Sequence, residues 1–162
     1  MWRARLLIAL AGCVAAGASV AQSVALTGLD GHTETLTLSD LAALPHDVVT
    51  LASEHGPARR YEGVPLTLLL QRVGAPAGKS LRGPALADLV LVSASDGYRV
   101  VLALADTDSG ISPRRVLLAD RADGEPLPPS EGPFRLVVEG DLRPARSARM
   151  VTAIRLEAAP GP

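Results

Sequence analysis

The sequence predicts an α+β domain that is mostly β, and three observations lead there. Asp-Gly dipeptides at 30–31, 96–97 and 123–124 separate short runs of alternating or β-branched residues. Helical leucine spacing is clearest in one stretch, at Leu66, Leu69, Leu70 and Val73. No internal repeat or long low-complexity linker interrupts the chain. Many short strands with a few short helices match an α+β domain.

In chain order, residues 24–29 and 33–38 form a hairpin about Asp30-Gly31. Ser39 is placed to cap a short helix over 40–44, with Asp40 at its positive end and Pro45 as its stop. Residues 48–51 read as a strand, and after Gly56-Pro57 a short extended return covers 60–62. Pro65 suits the first turn of the leucine-rich helix. A loop at 74–78 and a turn or short helix near 80–86 lead to 89–93, an apolar run of the kind buried within a sheet. Asp96-Gly97 then turns the chain into 98–104, the clearest hairpin. Strands over 116–120, 134–138 and 151–156 complete the β-rich second half.

The first 21 residues have the features of an export signal. Arg3 and Arg5 open it, an apolar stretch runs to Val20, and Ser19 and Ala21 set small side chains for cleavage after Ala21. The stretch is too short and too rich in Ala and Gly for a membrane span. Leu10-Ala11-Gly12-Cys13 also has the letters of a lipoprotein box, but the apolar run continues past Cys13, which favours cleavage after Ala21 over lipidation. The expectation is therefore a signal at 1–21, a single domain at 22–162, and a periplasmic or secreted location.

Removal of Arg3 and Arg5 leaves 14 basic against 17 acidic residues, net −3, which does not suit a nucleic-acid partner. The only cysteine, Cys13, lies within the signal, so the mature domain rests on packing rather than disulfides. Aromatics make up 2% of the chain, which argues against stacking platforms for bases or sugars.

Several segments in order resemble the molybdopterin-binding domain of the sulfite oxidase family. They are Tyr61-Glu62-Gly63-Val64-Pro65-Leu66, then Ser95-Asp96-Gly97-Tyr98, then Asp123-Gly124-Glu125-Pro126-Leu127. Gly132-Pro133-Phe134-Arg135-Leu136-Val137-Val138 and Arg149-Met150-Val151 follow, so that the resemblance spans roughly 33–157. It implies a mixed, mostly β, sandwich-like domain with short peripheral helices. In the family's enzymes the fold surrounds a molybdenum held by the pterin dithiolene and one cysteine thiolate, and the reaction is two-electron redox.

The match departs from the family at that thiolate. Its place falls in Leu51-Ala52-Ser53-Glu54-His55-Gly56-Pro57, which contains no sulfur. Ser53 is a hard donor, a poor substitute for a soft one, and Glu54 and His55 lack an obvious cluster. The family's final Lys-Trp is here Arg149-Met150, and Glu139-Gly140 stands for its Pro-Gly. The resemblance also implies a longer N-terminal part gripping the pterin, expected to be missing here.

Candidate ligand-binding residues are Tyr98, Arg135, Arg143, Arg146, Arg149 and His55; no catalytic or metal-binding residue is assigned. Tyr98 reads either as a hydroxyl donor in a groove or, as the common Asp-Gly signal favours, as a tyrosine capping the core beside a hairpin turn. Arg135, inside an apolar strand, is either an anion clamp or a charge facing outward or paired with Glu125 or Asp96. Arg143, Arg146 and Arg149 lie where family enzymes contact the pterin phosphate. Their spacing of three fits one side of a helical turn gripping phosphate or carboxylate, and equally a solvated loop. Arg59-Arg60 and Arg114-Arg115 read as surface charge. His32, His46 and His55 lack ligand spacing, and Asp106, Asp108 and Ser109 lack the rest of a calcium loop. No nucleophile elbow or Gly-rich phosphate loop occurs.

The expected function is a non-catalytic binding or accessory module for a small anionic ligand or a partner protein, with no cofactor. The alternative is a molybdopterin-dependent oxidoreductase that holds its cofactor without a cysteine.

Overall fold

Residues 22–52 and 56–160 are described by a computed structural model of the chain. β1 (Ser23–Thr27) and β2 (Thr33–Thr37) form the expected hairpin, with Gly31 in the left-handed region that its turn requires. Helix α1 (Leu38–Ala42) begins two residues earlier than expected, and its cap is Thr37 rather than Ser39. Thr37 Oγ1 accepts from the Asp40 amide at 3.3 Å, and the Asp40 carboxylate accepts from the Thr37 amide at 2.8 Å. This reciprocal pair needs a carboxylate three residues after the cap; Ser39 has Ala42 at that distance, so Thr37 prevails.

β3 (Asp47–Leu51) pairs with β4 (Arg59–Pro65), which is longer than the short return expected. Pro65 ends β4 and occupies the cap of α2 (Leu66–Arg72) instead of its first turn. Leu66, Leu69, Leu70 and Val73 are buried, as their spacing predicts. Short 3₁₀ turns at Gly78–Ser80 and Gly83–Ala87 precede the hairpin of β5 (Leu89–Ala94) and β6 (Arg99–Ala103). β5 buries alternate residues only, whereas its letters suggest burial on both faces. Leu89, Leu91 and Ser93 turn to the half-open outer face of their sheet. β7 (Val116–Ala122), β9 (Arg135–Val138) and β10 (Val151–Glu157) follow close to their predicted places, and the two-residue strand β8 (Glu125–Pro126) after the Asp123-Gly124 turn is an element not expected.

Two five-stranded sheets result. The first has the order β2-β1-β10-β5-β6, with β1 and β10 parallel and the other pairs antiparallel. The second has the order β3-β4-β7-β8, with β9 also on β7. Val24, Leu26, Val90, Ile154, Leu118, Phe134 and Leu136 belong to the main core, which α2 joins through its leucines. A smaller cluster of Val49, Leu51, Tyr61, Leu117, Ala119, Ala122 and Val137 is separate from it.

One irregularity shapes the surface beside these layers. Glu62 pairs with Arg121 but Gly63 pairs with Ala119, so Asp120 is the extra residue of a bulge in β7. A Cβ on Gly63 would lie 2.3 Å from the Leu118 carbonyl oxygen, so only glycine allows this approach.

Candidate functional site

Leu51 and Arg59 are the last pair of the β3–β4 ladder, at one end of the second sheet. Arg59, Tyr61 and Arg135 converge there. Both guanidiniums lie over the Tyr61 ring, at 5.3 Å for Arg59 and 4.8 Å for Arg135 from its centroid. Glu131 bridges them, accepting from Arg59 at 2.7 Å and Arg135 at 2.5 Å, and its Oε2 also receives the Tyr61 hydroxyl at 3.3 Å. Asp123 takes a further bond from Arg59 at 3.1 Å. Burial pushes the Glu131 carboxyl up, but the Arg135 hydrogen bond and the charges of Arg135 and Arg59 outweigh it and hold the group low. Burial raises the Tyr61 hydroxyl. The cluster therefore sets two guanidiniums against two carboxylates. Arg135 Nε is shielded and has no hydrogen-bond partner among the described residues.

Arg135 is thus an ion-paired residue, as one reading of its strand allows, but its partner is Glu131 rather than Glu125 or Asp96. Arg59 and Arg115 are not simple surface charge. Arg59 braces the Tyr61 cluster, while Arg115 binds Glu139 through two nitrogens and the Val48 carbonyl through a third. Glu131 carries no recognisable signal in the sequence, since it stands in a Pro- and Gly-rich loop 70 residues from Tyr61.

The second cluster lies in the 141–150 loop. Arg146 grips Asp141 through two bonds, at 2.9 and 2.5 Å, and reaches Asp106 at 3.6 Å. The bond to Arg146 holds the Asp141 carboxyl below its usual range. Tyr98, half exposed, donates its hydroxyl to the Ala145 carbonyl at 2.8 Å. The structure therefore brings Tyr98 to the arginine loop, with the hydroxyl committed to backbone. The three arginines do not share a helical turn: a single 3₁₀ turn covers Pro144–Arg146, Arg143 is extended, and Met150 is left-handed at φ 52°. Arg143 and Arg149 are exposed and have no ion pair among the described residues, whereas Arg146 is neutralised. His55 lies outside the described residues, as does the expected signal at 1–21.

A third feature was not legible as a unit. A depression of about 500 Å3 runs between α1, through Leu38, Ser39 and Ala42, and the 126–133 segment, through Leu127 and Pro133. Asp120 and Arg121 contribute to its lining, and a smaller neighbouring depression adds His46 and Glu62. The bulge presents Asp120 there, with its side chain 6% exposed, and His46 Nε2 lies 3.2 Å from Asp120 Oδ1. His46, which has no ligand partner in sequence spacing, finds this one 74 residues away. Among the described residues no group of three or more His, Cys, Asp or Glu is arranged to hold a metal.

Residues 16–162 match the family described as the oxidoreductase molybdopterin binding domain. Among solved structures the chain is similar to the crystal structure of the sulfane dehydrogenase SoxCD from Paracoccus pantotrophus. The TM-score is 0.60 and the identity 22%, with 83% of this chain and 38% of that one covered. The likeness is one of fold, and this chain spans well under half of the enzyme's length. No match is found among curated proteins.

Proposed function

Because this chain belongs to the oxidoreductase molybdopterin-binding domain family, we propose that it uses the family's fold as a non-catalytic accessory module. The module docks a partner protein through the 141–150 loop, in an exported, periplasmic setting. The observation that carries this reading is the donor set. The sole cysteine is Cys13, so residues 22–162 offer no thiolate to a molybdenum ion. The guanidiniums gathered around Tyr61, those of Arg59 and Arg135, are already matched by Asp123 and Glu131, and Arg146 by Asp141. The residues present therefore do not fit a molybdenum centre anchored by a protein thiolate, and no redox step is derived through one.

The 141–150 loop supports docking because it is held in shape and still presents contact groups. Arg146 and the Tyr98 hydroxyl fix it from within, while Leu142, Arg143 and Arg149 stand exposed. The guanidiniums of Arg143 and Arg149, without an ion pair among the described residues, also favour a second reading, in which a small anionic ligand is bound at the same loop.

Material purified from the native host separates these readings. Assay for molybdenum and for fluorescent oxidised pterin is expected to give substoichiometric values. One molybdenum per chain with turnover of sulfite or a sulfoxide would replace the proposal with a molybdopterin-dependent oxidoreductase that lacks a cysteine ligand. Crosslinking in the same host should trap a partner that Arg143→Glu together with Arg149→Glu no longer captures. A melting point raised by small anions and lowered to baseline in that double variant, without a partner, would favour the small-ligand reading.

A further inference from the structure

A donor–acceptor conflict lies in the smaller depression next to the groove beside α1, which shares Ala42, Asp120 and Arg121 with it. His46 Nδ1 lies 2.8 Å from the Leu44 carbonyl oxygen, and Nε2 lies 3.2 Å from Asp120 Oδ1. A carbonyl oxygen can only accept, and an ionised carboxylate likewise. A neutral imidazole carries one N–H and satisfies one of these neighbours, whichever tautomer it adopts. Both contacts coexist only with one further proton, on the ring as imidazolium or on the Asp120 carboxyl. The Asp120 side chain is only 6% exposed and the ring 25%, so water is poorly placed to replace a missing donor.

We propose that this shared proton is a pH-sensitive latch. It ties the turn after α1, through Leu44 and His46, to the β7 bulge at Asp120, and so fixes the wall formed by Leu38, Ser39 and Ala42. When the proton leaves to solvent, one contact must open and the wall is released. The charged groups nearest the pair among the described residues are Glu62 on β4 and Arg121 on β7, with Arg60 behind Glu62 and Asp47 next to His46 in the chain. Glu62 and Arg121 line the same depression, and Glu62 meets Arg60 at 3.9 Å. None of these side chains donates to the Leu44 oxygen or to Asp120 Oδ1 among the described residues. The latch does not depend on the docking role of the 141–150 loop.

The test compares the whole chain with His46→Gln and Asp120→Asn at about pH 5.5 and about pH 8, on either side of the ordinary histidine range near 6.5. Thermal melting is read together with backbone amide shifts over 38–46 and 119–121. Between these pH values the unaltered chain should lose about 4 °C more than His46→Gln does, and the amides of α1 should titrate with those of the bulge. In Asp120→Asn the carboxamide N–H can meet Nε2 while Nδ1–H keeps Leu44, so a neutral ring satisfies both neighbours and the loss should vanish. Matching pH profiles for the unaltered chain and Asp120→Asn would overturn the latch, as would amides of α1 that do not respond to pH. Asp120→Asn and the amide titration decide the matter even if His46→Gln does not fold.

Discussion

Glu131 and Arg135 lie one carboxylate–guanidinium contact apart, at 2.5 Å, with side chains 15% and 11% exposed. Because the same carboxylate also holds Arg59 and the Tyr61 hydroxyl, three side chains from two strands depend on a single loop residue. Glu131→Gln keeps the shape and removes the charge. It should cost about 1.5–3 kcal/mol in chemical denaturation. A midpoint unchanged from the parent would mean that the cluster contributes no net stability.

The same carboxylate sets the acid side of the stability curve. Glu131, Asp141 and Glu139 have folded values below their ordinary ones. For Glu131 burial opposes the shift and the arginines outweigh it; for the other two the leading cause is a hydrogen bond, from Arg146 and Arg115 respectively. Lowered carboxyls contribute fully above their unfolded range, about 4, and that contribution is lost as pH falls through the folded values. Denaturation midpoints should therefore decline below about pH 4, and less steeply in Glu131→Gln. Parallel acid limbs in the two proteins would refute the assignment to Glu131.

Gly63 lies against Leu118 and Ala119 at the β7 bulge, with no space for a methyl group. Gly63→Ala should destabilise the chain by about 3 kcal/mol or more, because backbone rather than a flexible side chain must move. A circular dichroism melt is sufficient to read this. An alanine variant as stable as the parent would show that the strands separate at little cost.

The Tyr98 hydroxyl is the one side-chain tie from the β5–β6 hairpin tip to Ala145 that the described residues contain. Tyr98→Phe should cost about 1 kcal/mol and speed amide exchange locally, over 141–148, with β7 unaffected. Exchange that rises everywhere or nowhere would remove the loop-fixing role.

Local signals carried the strands and the long-range contacts did not announce themselves. The turns at Asp30-Gly31, Asp96-Gly97 and Asp123-Gly124 and the leucines of α2 follow from backbone chemistry and period alone, and these elements occur where expected. The Thr37 cap was also readable, since Thr37-x-x-Asp40 has the required spacing, but Ser39 offered a nearer competitor. Arg135 declared itself as a charge in an apolar strand, yet its partner sits in an irregular loop that no periodicity marks. The His46–Asp120 pair was hidden for another reason. Strict alternation along β7 does not account for the bulge that presents Asp120, and the bulge is visible only from the register with β4.

The parallel pairing of β1 with β10 bears on how the polypeptide reaches this state. Ala25 meets Ala153, so the middle of the first sheet stays vacant until β10 is in place. Until then the β1–β2 and β5–β6 ribbons each wait with an unsatisfied edge, and closing them requires contacts of very high sequence separation. Assembly is therefore slow, and chains in which β10 has not yet docked should be targets for holding chaperones and proteases.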